Sequence, residues 1–394
     1  MNSFLDKFEK SSWADVAQKI KSSTKEDIEN AIHSGTRCGL DGLASLLSPL
    51  AGKEYLEEMA QLANQITMQR FGKVIRLFAP IYLSNECNNI CDYCGFSFGN
   101  EIPRKTLSTA EILREVGVLR KEGFEHVLIV TGESSKRVGV KYLFEAIKLL
   151  NSYFSNVSME VQPLEQKDYE YLIGAGLHAV LVYQETYNKQ SYAKHHLKGK
   201  KTNFNWRLNT ADRLGRAGIN KIGLGCLYGL TKDWRTDSFF AGMHLDYLEK
   251  KYWQTSFSFS FPRMRPFEGE SDPIIELKDR DLVQLLCAFR IFNHELELSL
   301  STRESSKLRE QLLPLGVTTM SAGSKTNPGG YAGGTDSLEQ FTISDERCPR
   351  DVAKMLSMRG YEPVWKDWDV SYNLKNTTAF CQDSSRVKNV SMKN

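Results

Sequence analysis

Residues 74–96 read VIRLFAPIYLSNECNNICDYCGF. An apolar run typical of a buried β-strand is followed at once by a loop that carries three cysteines, Cys87, Cys91 and Cys94. Cysteine thiolates at such short spacings hold an iron–sulfur cluster or a zinc ion. A structural zinc site closes with four ligands, and no fourth cysteine lies near this loop in the sequence. The spacing therefore favours a four-iron cluster held by three thiolates, with one iron left open for a ligand.

Seven further β-rich runs follow the first one, and most are separated by helix-like segments. They begin at residues 126, 157, 179, 221, 255, 296 and 316. Eight strand–helix repeats over roughly 250 residues are typical of a (β/α)₈ barrel. The predicted fold class is therefore α/β, a TIM-type (β/α)₈ barrel with a helical N-terminal extension and a C-terminal extension.

The predicted domain boundaries follow from where this alternation begins and ends. Residues 1–71 are predicted to form the helical N-terminal extension, and residues 72–325 the barrel. Residues 326–372 are expected to pack on the barrel as a C-terminal segment. The tail 373–394 is polar and lacks periodicity, so we expect it to be mobile. The glycine-rich stretch after the last strand is either a lid over the barrel mouth or a plain connector.

Composition excludes several classes of protein. The chain has 394 residues, with 51 basic and 48 acidic side chains and a net charge of +3, which argues against a dedicated nucleic-acid surface. No run of about 18 apolar residues is present, so we expect no membrane span. The first residues lack a signal-peptide pattern, and the eight cysteines then indicate reduced thiols and cofactor ligands. The expected location is cytoplasmic.

Functional side chains of such barrels collect at the C-terminal ends of the strands. Polar or glycine residues that are hard to place elsewhere fall at or near every predicted strand end. After the cysteine loop, they are Glu133, Glu160, Gln162, Gln184, Glu185, Gly223, Gly225, Arg263, Arg265, Thr302, Arg303 and Ser321. This distribution predicts an active site at that end of the barrel without reference to any family.

Most of these side chains also have a structural explanation. Glu133 could cap the next helix, and Glu185 could form an ordinary ion pair. Arg263 and Arg265 could bind carboxylates at the barrel rim, which we expect for one of the two. Residues interpreted as having no chemical role are the loop lysines Lys198, Lys200 and Lys201, and the histidines His195 and His196.

The cysteine spacing, with Tyr93 before the third cysteine, resembles radical S-adenosylmethionine (SAM) enzymes. Ten stretches in order resemble one family of that superfamily, the tyrosine lyases of thiamine biosynthesis. They are CNNICDYCGFSF, VTGE, MEVQPL, VYQETY, HHLKGKK, WRLNTADRLGRAGINKIGLG, SFPRMRP, LSLSTRES, SKTNPGGYA and PVWKDWD. The resemblance covers about residues 1–370. The usual Gly-Gly-Glu motif of the superfamily is replaced here by Thr131-Gly132-Glu133.

The resemblance implies two cofactors and the residues that bind them. A [4Fe–4S] cluster would be held by the three loop cysteines, with SAM on the open iron. Gly132 and Glu133 would contact the methionine amino group of SAM, and Glu160 its ribose. Tyr93 and the strand that contains Gly223 and Gly225 would lie near the adenine.

The resemblance also implies a reaction. The family cleaves the Cα–Cβ bond of L-tyrosine to 2-iminoacetate and p-cresol, while SAM becomes methionine and 5′-deoxyadenosine. Arg303 would bind the substrate carboxylate, with Ser321 as a second donor. The implied partners are a flavodoxin- or ferredoxin-type reductant and the thiazole synthase ThiG. Further candidates for substrate binding are Glu185, Arg263 and Arg265.

Four other functions stay open at this point. A HydG-like tyrosine lyase carries a second cysteine-rich motif near its C-terminus, where this chain has only the isolated Cys348 and Cys381. A related tryptophan lyase would share the architecture. A sulfur-inserting radical SAM synthase needs a second sulfur source in the barrel, which Cys226 alone does not provide. A non-catalytic iron–sulfur or zinc protein leaves the strand-end carboxylates unexplained.

Overall fold

The computed structural model describes residues 3–266, 277–333 and 339–366. In these ranges, eight parallel strands form a closed barrel. The strands are β1 Val74–Ser84, β2 His126–Thr131, β3 Asn156–Glu160, β4 Ala179–Leu181, β5 Lys221–Gly225, β6 Ser256–Ser260, β7 Glu297–Leu300 and β8 Thr319–Ser321. Each corresponds to one of the eight β-rich runs, so the predicted barrel is confirmed.

The long first strand closes the barrel. The N-terminal half of β1 pairs with β8, with Leu77 opposite Met320, and its C-terminal half pairs with β2, with Ile81 opposite Ile129. This offset along one strand is the stagger that lets a tilted sheet close on itself. It also carries the end of β1, and with it the cysteine loop, to the mouth of the barrel.

Helices precede, surround and follow the barrel. Before it lie α1 Phe4–Phe8, α2 Trp13–Lys21, α3 Lys25–His33, α4 Gly39–Leu46 and α5 Leu56–Phe71. Within it lie α6 Thr109–Lys121, α7 Val140–Asn151, α8 Gln166–Gly174, α9 Lys189–His195, α10 Phe204–Leu208, α11 Thr210–Ala217, α12 Trp234–Lys251, α13 Asp279–Phe292 and α14 Ser306–Leu312, and after it α15 Pro349–Met358. No helix of the described ranges is long and apolar enough to cross a membrane.

The N-terminal helices are anchored on the outside of the barrel. The ring of Phe4 is fully buried and stacks on His244 of α12, with 3.9 Å between the ring centroids. The backbone N–H of Phe4 donates to the carboxylate of Asp212 in α11. Buried aromatic surface and a charge-assisted hydrogen bond therefore fix α1 against two barrel helices.

The C-terminal segment contacts the barrel at both ends. Strand β9, Glu362–Val364, pairs with the start of β1. Residues 339–345 lie over the mouth, where Gly95 N–H donates to Gln340 and Ser344 N–H donates to Thr302. We call residues 339–345 the strap. The predicted mobile tail 373–394, and Cys381 with it, lies outside the described residues.

Candidate active site

A cavity of about 200 Å³ opens at the C-terminal ends of the strands. Its lining comes from the cysteine loop, from the ends of β2, β3, β4, β6, β7 and β8, and from the strap. The floor is apolar and includes Phe78, Leu128 and Val130. The side chains above this floor are mostly polar or charged, which is the arrangement expected of a binding site for a polar ligand.

The three loop cysteines all line this cavity. Cys91 is buried and lies in a short strand, Ile90–Cys91, that pairs antiparallel with His196–Lys198. The backbone N–H of Asn89 points at Cys87 Sγ, at 3.5 Å, and donors of this kind stabilise thiolates. In the described ranges, no group of three or more His, Cys, Asp or Glu side chains is arranged to hold a single metal ion. Three thiols on one cavity are the donor set that a four-iron cluster with one open iron would use.

Arg104 holds the cysteine loop in shape, and the sequence analysis did not single it out. Its guanidinium donates to four loop carbonyls at 2.7–3.1 Å, those of Asn85, Phe96, Ser97 and Asn100. A planar guanidinium can satisfy several carbonyls at once, whereas lysine cannot. The loop conformation therefore depends on a residue that lies ten positions after its last cysteine.

Gln340 of the strap reaches the third cysteine. Its Nε2 amide lies 3.7 Å from Cys94 Sγ, and its Oε1 accepts a hydrogen bond from the Tyr82 hydroxyl at 2.8 Å. The Tyr82 contact fixes the orientation of the amide, so that the N–H side faces the sulfur. Hydrogen bonds to cluster sulfurs are one of the ways in which a protein sets the reduction potential.

We therefore expect Gln340→Leu to lower the midpoint potential of the reconstituted cluster. The donor favours the more negative reduced state, and a net hydrogen bond of about 1 kcal/mol corresponds to about 45 mV for one electron. A redox titration followed by electron paramagnetic resonance measures this shift. Gln166→Leu, on the outer helix α8, is the control and should not move the potential. An unchanged potential in Gln340→Leu would show that the contact does not act on the cluster.

The end of β2 lies against the cysteine loop because Gly132 has no side chain. A Cβ at this position would lie 2.4 Å from the carbonyl oxygen of Glu86. Next to it, Glu133 accepts hydrogen bonds from Asn89 at 2.8 Å and from Arg207 at 2.9 Å. Burial opposes the charge of Glu133, but Arg207 and then Lys201 hold its pKa below the usual range. Glu133 is therefore an anion at the cavity wall and not a helix cap.

Glu185 completes a buried group of two carboxylates and two cations. It accepts hydrogen bonds from Lys201 at 2.7 Å and from Arg207 at 3.1 Å, so Arg207 joins Glu185 to Glu133. Glu185 is also the one non-glycine residue of the described ranges with a positive φ, 72°. Such strain costs about 1–3 kcal/mol and persists where other contacts fix the residue.

Lys201 and Arg207 are the main site residues that sequence reasoning missed. The interpretation of Lys201 as a solvated side chain is wrong, because it is largely buried, whereas Lys198 and Lys200 are exposed. Burying Lys201 is tolerated because its charge is paired with Glu185. The sequence offered one indication that these two residues belong to the site. Lys201 and Arg207 lie in two of the ten stretches that resemble the family, HHLKGKK and WRLNTADRLGRAGINKIGLG.

Tyr93 lines the cavity and is oriented by a histidine. The Tyr93 hydroxyl lies 2.7 Å from His196 Nε2, while His196 Nδ1 lies 2.6 Å from the carbonyl oxygen of Tyr192. Because a carbonyl only accepts, Nδ1 carries the proton and Nε2 accepts from Tyr93. Burial and then Lys201 lower the pKa of His196, which keeps the ring neutral. His196 therefore positions an aromatic wall of the site.

The two glycines of β5 do not line the cavity. A Cβ on Gly223 would lie 2.5 Å from Leu181, and one on Gly225 would lie 2.9 Å from the Tyr183 ring. Leu181 and Tyr183 themselves line the cavity. The glycines therefore let Leu181 of β4 and Tyr183, two residues after it, lie over β5. In this structure, the surface near the expected adenine site is formed by residues that sequence reasoning did not name.

Glu160 faces the cavity without a hydrogen-bond donor from any described residue. Burial, followed by the charge of Glu185, raises the pKa of Glu160 to about 7, while Arg303 acts in the opposite direction. A carboxylate without a donor in a desolvated site is costly unless a ligand supplies one. This geometry suits a ligand with hydroxyl groups.

We expect Glu160→Gln to stabilise the cofactor-free protein at alkaline pH. The raised pKa means that Glu160 binds a proton in the folded state, and that its contribution to stability is lost as the pH rises through about 7. The variant should therefore gain up to about 3 kcal/mol over the parent at pH 8 and little at pH 4. Urea denaturation at both values measures this. An equal change in the free energy of unfolding at pH 4 and at pH 8 would contradict the raised pKa of Glu160.

Arg303 and Ser321, from the ends of β7 and β8, also line the cavity. The Arg303 guanidinium lies 3.4 Å from the ring centroid of Phe341 in the strap, and it donates a hydrogen bond to the carbonyl of Arg263 at 3.4 Å. It has no carboxylate partner in the described part of the chain. Ser321 Oγ accepts from Thr302 N–H, so its proton is free to be donated into the cavity. The pair can bind an anionic group of a ligand.

Arg263 and Arg265 are placed differently. Arg263 Nε donates to Glu304 at 2.9 Å and Arg263 Nη1 to Asp279 at 2.8 Å, while Arg265 donates to Glu304 at 2.7 Å. Neither arginine lines the cavity, although Glu304 does. Both arginines therefore form ion pairs at the barrel rim, whereas the sequence predicts such a pair for one of them. These pairs disfavour contact of either arginine with the substrate.

Comparisons with known proteins agree with this site. Residues 81–240 match the radical SAM superfamily, and residues 260–362 match the biotin and thiamin synthesis associated domain. The solved structure of HydG, a maturase of the [FeFe]-hydrogenase, is similar with a TM-score of 0.86 at 29% identity, over 95% of this chain and 84% of that one. Methylornithine synthase (PylB), with a TM-score of 0.68 at 19% identity, shares the fold.

The similarity in sequence is more specific. The 2-iminoacetate synthase of Escherichia coli (strain K12) is 49% identical over 369 residues, which are 94% of this chain and 97% of that protein. Because about half of the residues agree along almost the whole of both chains, this chain belongs to the 2-iminoacetate synthase family of radical SAM enzymes.

Proposed function

We propose that the chain cleaves the Cα–Cβ bond of L-tyrosine to 2-iminoacetate and p-cresol, for the thiazole of thiamine. The observation that carries this proposal is one cavity that brings together three cysteines, a carboxylate and an arginine, neither of which has an ion-pair partner among the described residues. The thiols can hold a cluster, the carboxylate can accept hydrogen bonds from SAM, and the guanidinium can bind the carboxylate of an amino acid. When bound, the [4Fe–4S] cluster and SAM supply one-electron cleavage of SAM and a 5′-deoxyadenosyl radical that abstracts hydrogen.

The chain prepares the cofactor side with fixed charges. Cys87, Cys91 and Cys94 are the proposed cluster ligands. Glu133 is held as an anion by Arg207 and Asn89 and can accept from the ammonium group of SAM. Glu160 has two acceptor oxygens for the vicinal ribose hydroxyls. Lys201 and Arg207 also line the cavity, and their positive charges would favour the carboxylate of SAM.

The substrate side positions an amino acid. The guanidinium of Arg303 can bind the tyrosine carboxylate bidentately, and the Ser321 hydroxyl can donate to it. The apolar floor excludes water from a cavity in which a radical would attack any nearby hydrogen. Arg303 therefore fixes which hydrogen lies within reach, since orientation of the reacting groups controls the rate.

The reaction requires partners that the chain does not contain. We propose a flavodoxin- or ferredoxin-type reductant, because SAM cleavage consumes one electron. We propose the thiazole synthase ThiG as the acceptor of 2-iminoacetate, since an imine hydrolyses readily in water and benefits from direct delivery.

The test is anaerobic reconstitution followed by SAM, reductant and tyrosine, with analysis for 5′-deoxyadenosine, p-cresol and 2-iminoacetate. Iron should reach about four per chain, as one [4Fe–4S] cluster requires. Tryptophan should give no aromatic cleavage product. Formation of 5′-deoxyadenosine without p-cresol, at saturating tyrosine, would overturn the proposal.

A further inference from the structure

We propose that the outer face of the cysteine loop is the docking surface for an acidic one-electron carrier protein. This inference rests on the proposed function, since it assumes that the cluster is reduced by a protein. The surface consists of Phe98, Leu197, Lys194, Lys198 and Lys200, and we call it the loop patch.

Two apolar side chains form the centre of the loop patch. Phe98 is 55% exposed, and its N–H donates to the carbonyl of Asn89 in the cysteine loop at 2.8 Å. Leu197 is 61% exposed and lies in the His196–Lys198 strand, which pairs with Ile90–Cys91. Both apolar side chains therefore lie directly outside the cluster ligands.

Three exposed lysines accompany this apolar centre. Lys198 Nζ lies 5.7 Å from the centroid of the Phe98 ring, and Lys194 and Lys200 are exposed nearby in the sequence. No ion pair involves any of the three lysines within the described residues. The 98–103 loop contributes one exposed carboxylate, Glu101. The patch is therefore cationic overall and complementary to an acidic partner.

An apolar centre with a charged rim is the usual composition of a transient protein interface. Unpaired lysines at the rim accelerate association with an acidic partner at low salt. A membrane or nucleic acid would instead call for a larger cationic area than these three lysines provide. A small acidic protein is the occupant that fits the apolar centre and the charge.

The position of the patch explains why it should serve electron transfer. Cys91 is 6% exposed and lies in the strand paired with the one that carries Leu197. A carrier on the patch would be separated from the cluster by one thin loop. The carrier loses one electron and the cluster gains it, and no atom has to enter the cavity. The substrate side can therefore stay closed during reduction.

The experiment compares two reductants on Lys198→Glu/Lys200→Glu. The probe is a reduced flavodoxin, an acidic protein, and the reference is dithionite, a small anion. With flavodoxin, the second-order rate of cluster reduction should fall about tenfold or more at low ionic strength. The decrease in the reduction rate should be smaller at 0.5 M salt, because the Debye length is then roughly 5 Å and charges on the two proteins are screened from each other. With dithionite, the rate should change by much less.

Two further variants sharpen the test. Phe98→Ser should weaken flavodoxin binding at every salt concentration, because it removes apolar contact and not charge. Lys121→Glu/Lys148→Glu is the matched control, since these exposed lysines lie near the ends of α6 and α7, which return to the opposite end of the barrel. The control should keep the parent rate with both reductants.

Two results would overturn the inference. If Lys198→Glu/Lys200→Glu leaves the rate of cluster reduction by flavodoxin unchanged, the carrier does not dock on the loop patch. An equal loss with both reductants would mean that the substitutions act through the shape of the loop. Neither result bears on the proposed lyase activity, which is tested separately by the products that the parent protein forms with dithionite.

Discussion

Cys91→Ala is expected to abolish the cluster and every product of SAM cleavage. Cys91 is buried in the strand that holds the loop, and it is one of three thiols on the cavity. Two remaining ligands cannot hold a four-iron cube that already lacks a fourth protein ligand. Cys87→Ala and Cys94→Ala should behave in the same way. The rate of 5′-deoxyadenosine formation should therefore fall to the background level in all three variants, so that no residual activity is measured.

The measurement is iron content and visible absorption after anaerobic reconstitution, together with 5′-deoxyadenosine. Cys287→Ala is the matched control, because Cys287 is also buried but lies in α13, away from the cavity. It should lose some stability and keep the cluster. Cys348→Ala, at an exposed position, should change neither property. Full cluster content in Cys91→Ala would show that the ligand set is different.

Arg303→Lys should retain the cluster and SAM binding but uncouple SAM cleavage from tyrosine cleavage. Lysine keeps the charge but loses the planar fork that binds a carboxylate bidentately, and it loses the stacking on Phe341. A substrate misplaced by about 1 Å can lose on the order of a hundredfold in rate. The radical would then form with no substrate hydrogen in place.

The ratio of p-cresol to 5′-deoxyadenosine reports this uncoupling. It should fall strongly in Arg303→Lys and stay near the parent value in Arg265→Lys, because Arg265 is paired with Glu304 and does not itself line the cavity. The dependence of SAM cleavage on tyrosine concentration should also weaken. A parental ratio in Arg303→Lys would mean that Arg303 only supports the strap through Phe341.

The sequence by itself determined the barrel, the cysteine loop and the strand ends at which to look. Strand and helix periodicity depends on local alternation of apolar and polar residues, and all eight strands formed where that pattern predicted them. Cysteine spacing is equally local. Glu133, Glu160, Arg303 and Ser321 line the cavity, because parallel strands in a barrel all end at the same side.

Only the tertiary structure decided which charges meet. Lys201 looked like a solvated loop residue, and the contact with Glu185 that buries its charge spans 16 positions in the sequence. Arg263 and Arg265 are further candidates for substrate binding in the sequence, but in the structure Glu304 pairs with both of them and not with Arg303. Gln340 contacts a cysteine 246 positions away. Burial and pairing of charges depend on contacts between distant elements, so local pattern cannot predict them.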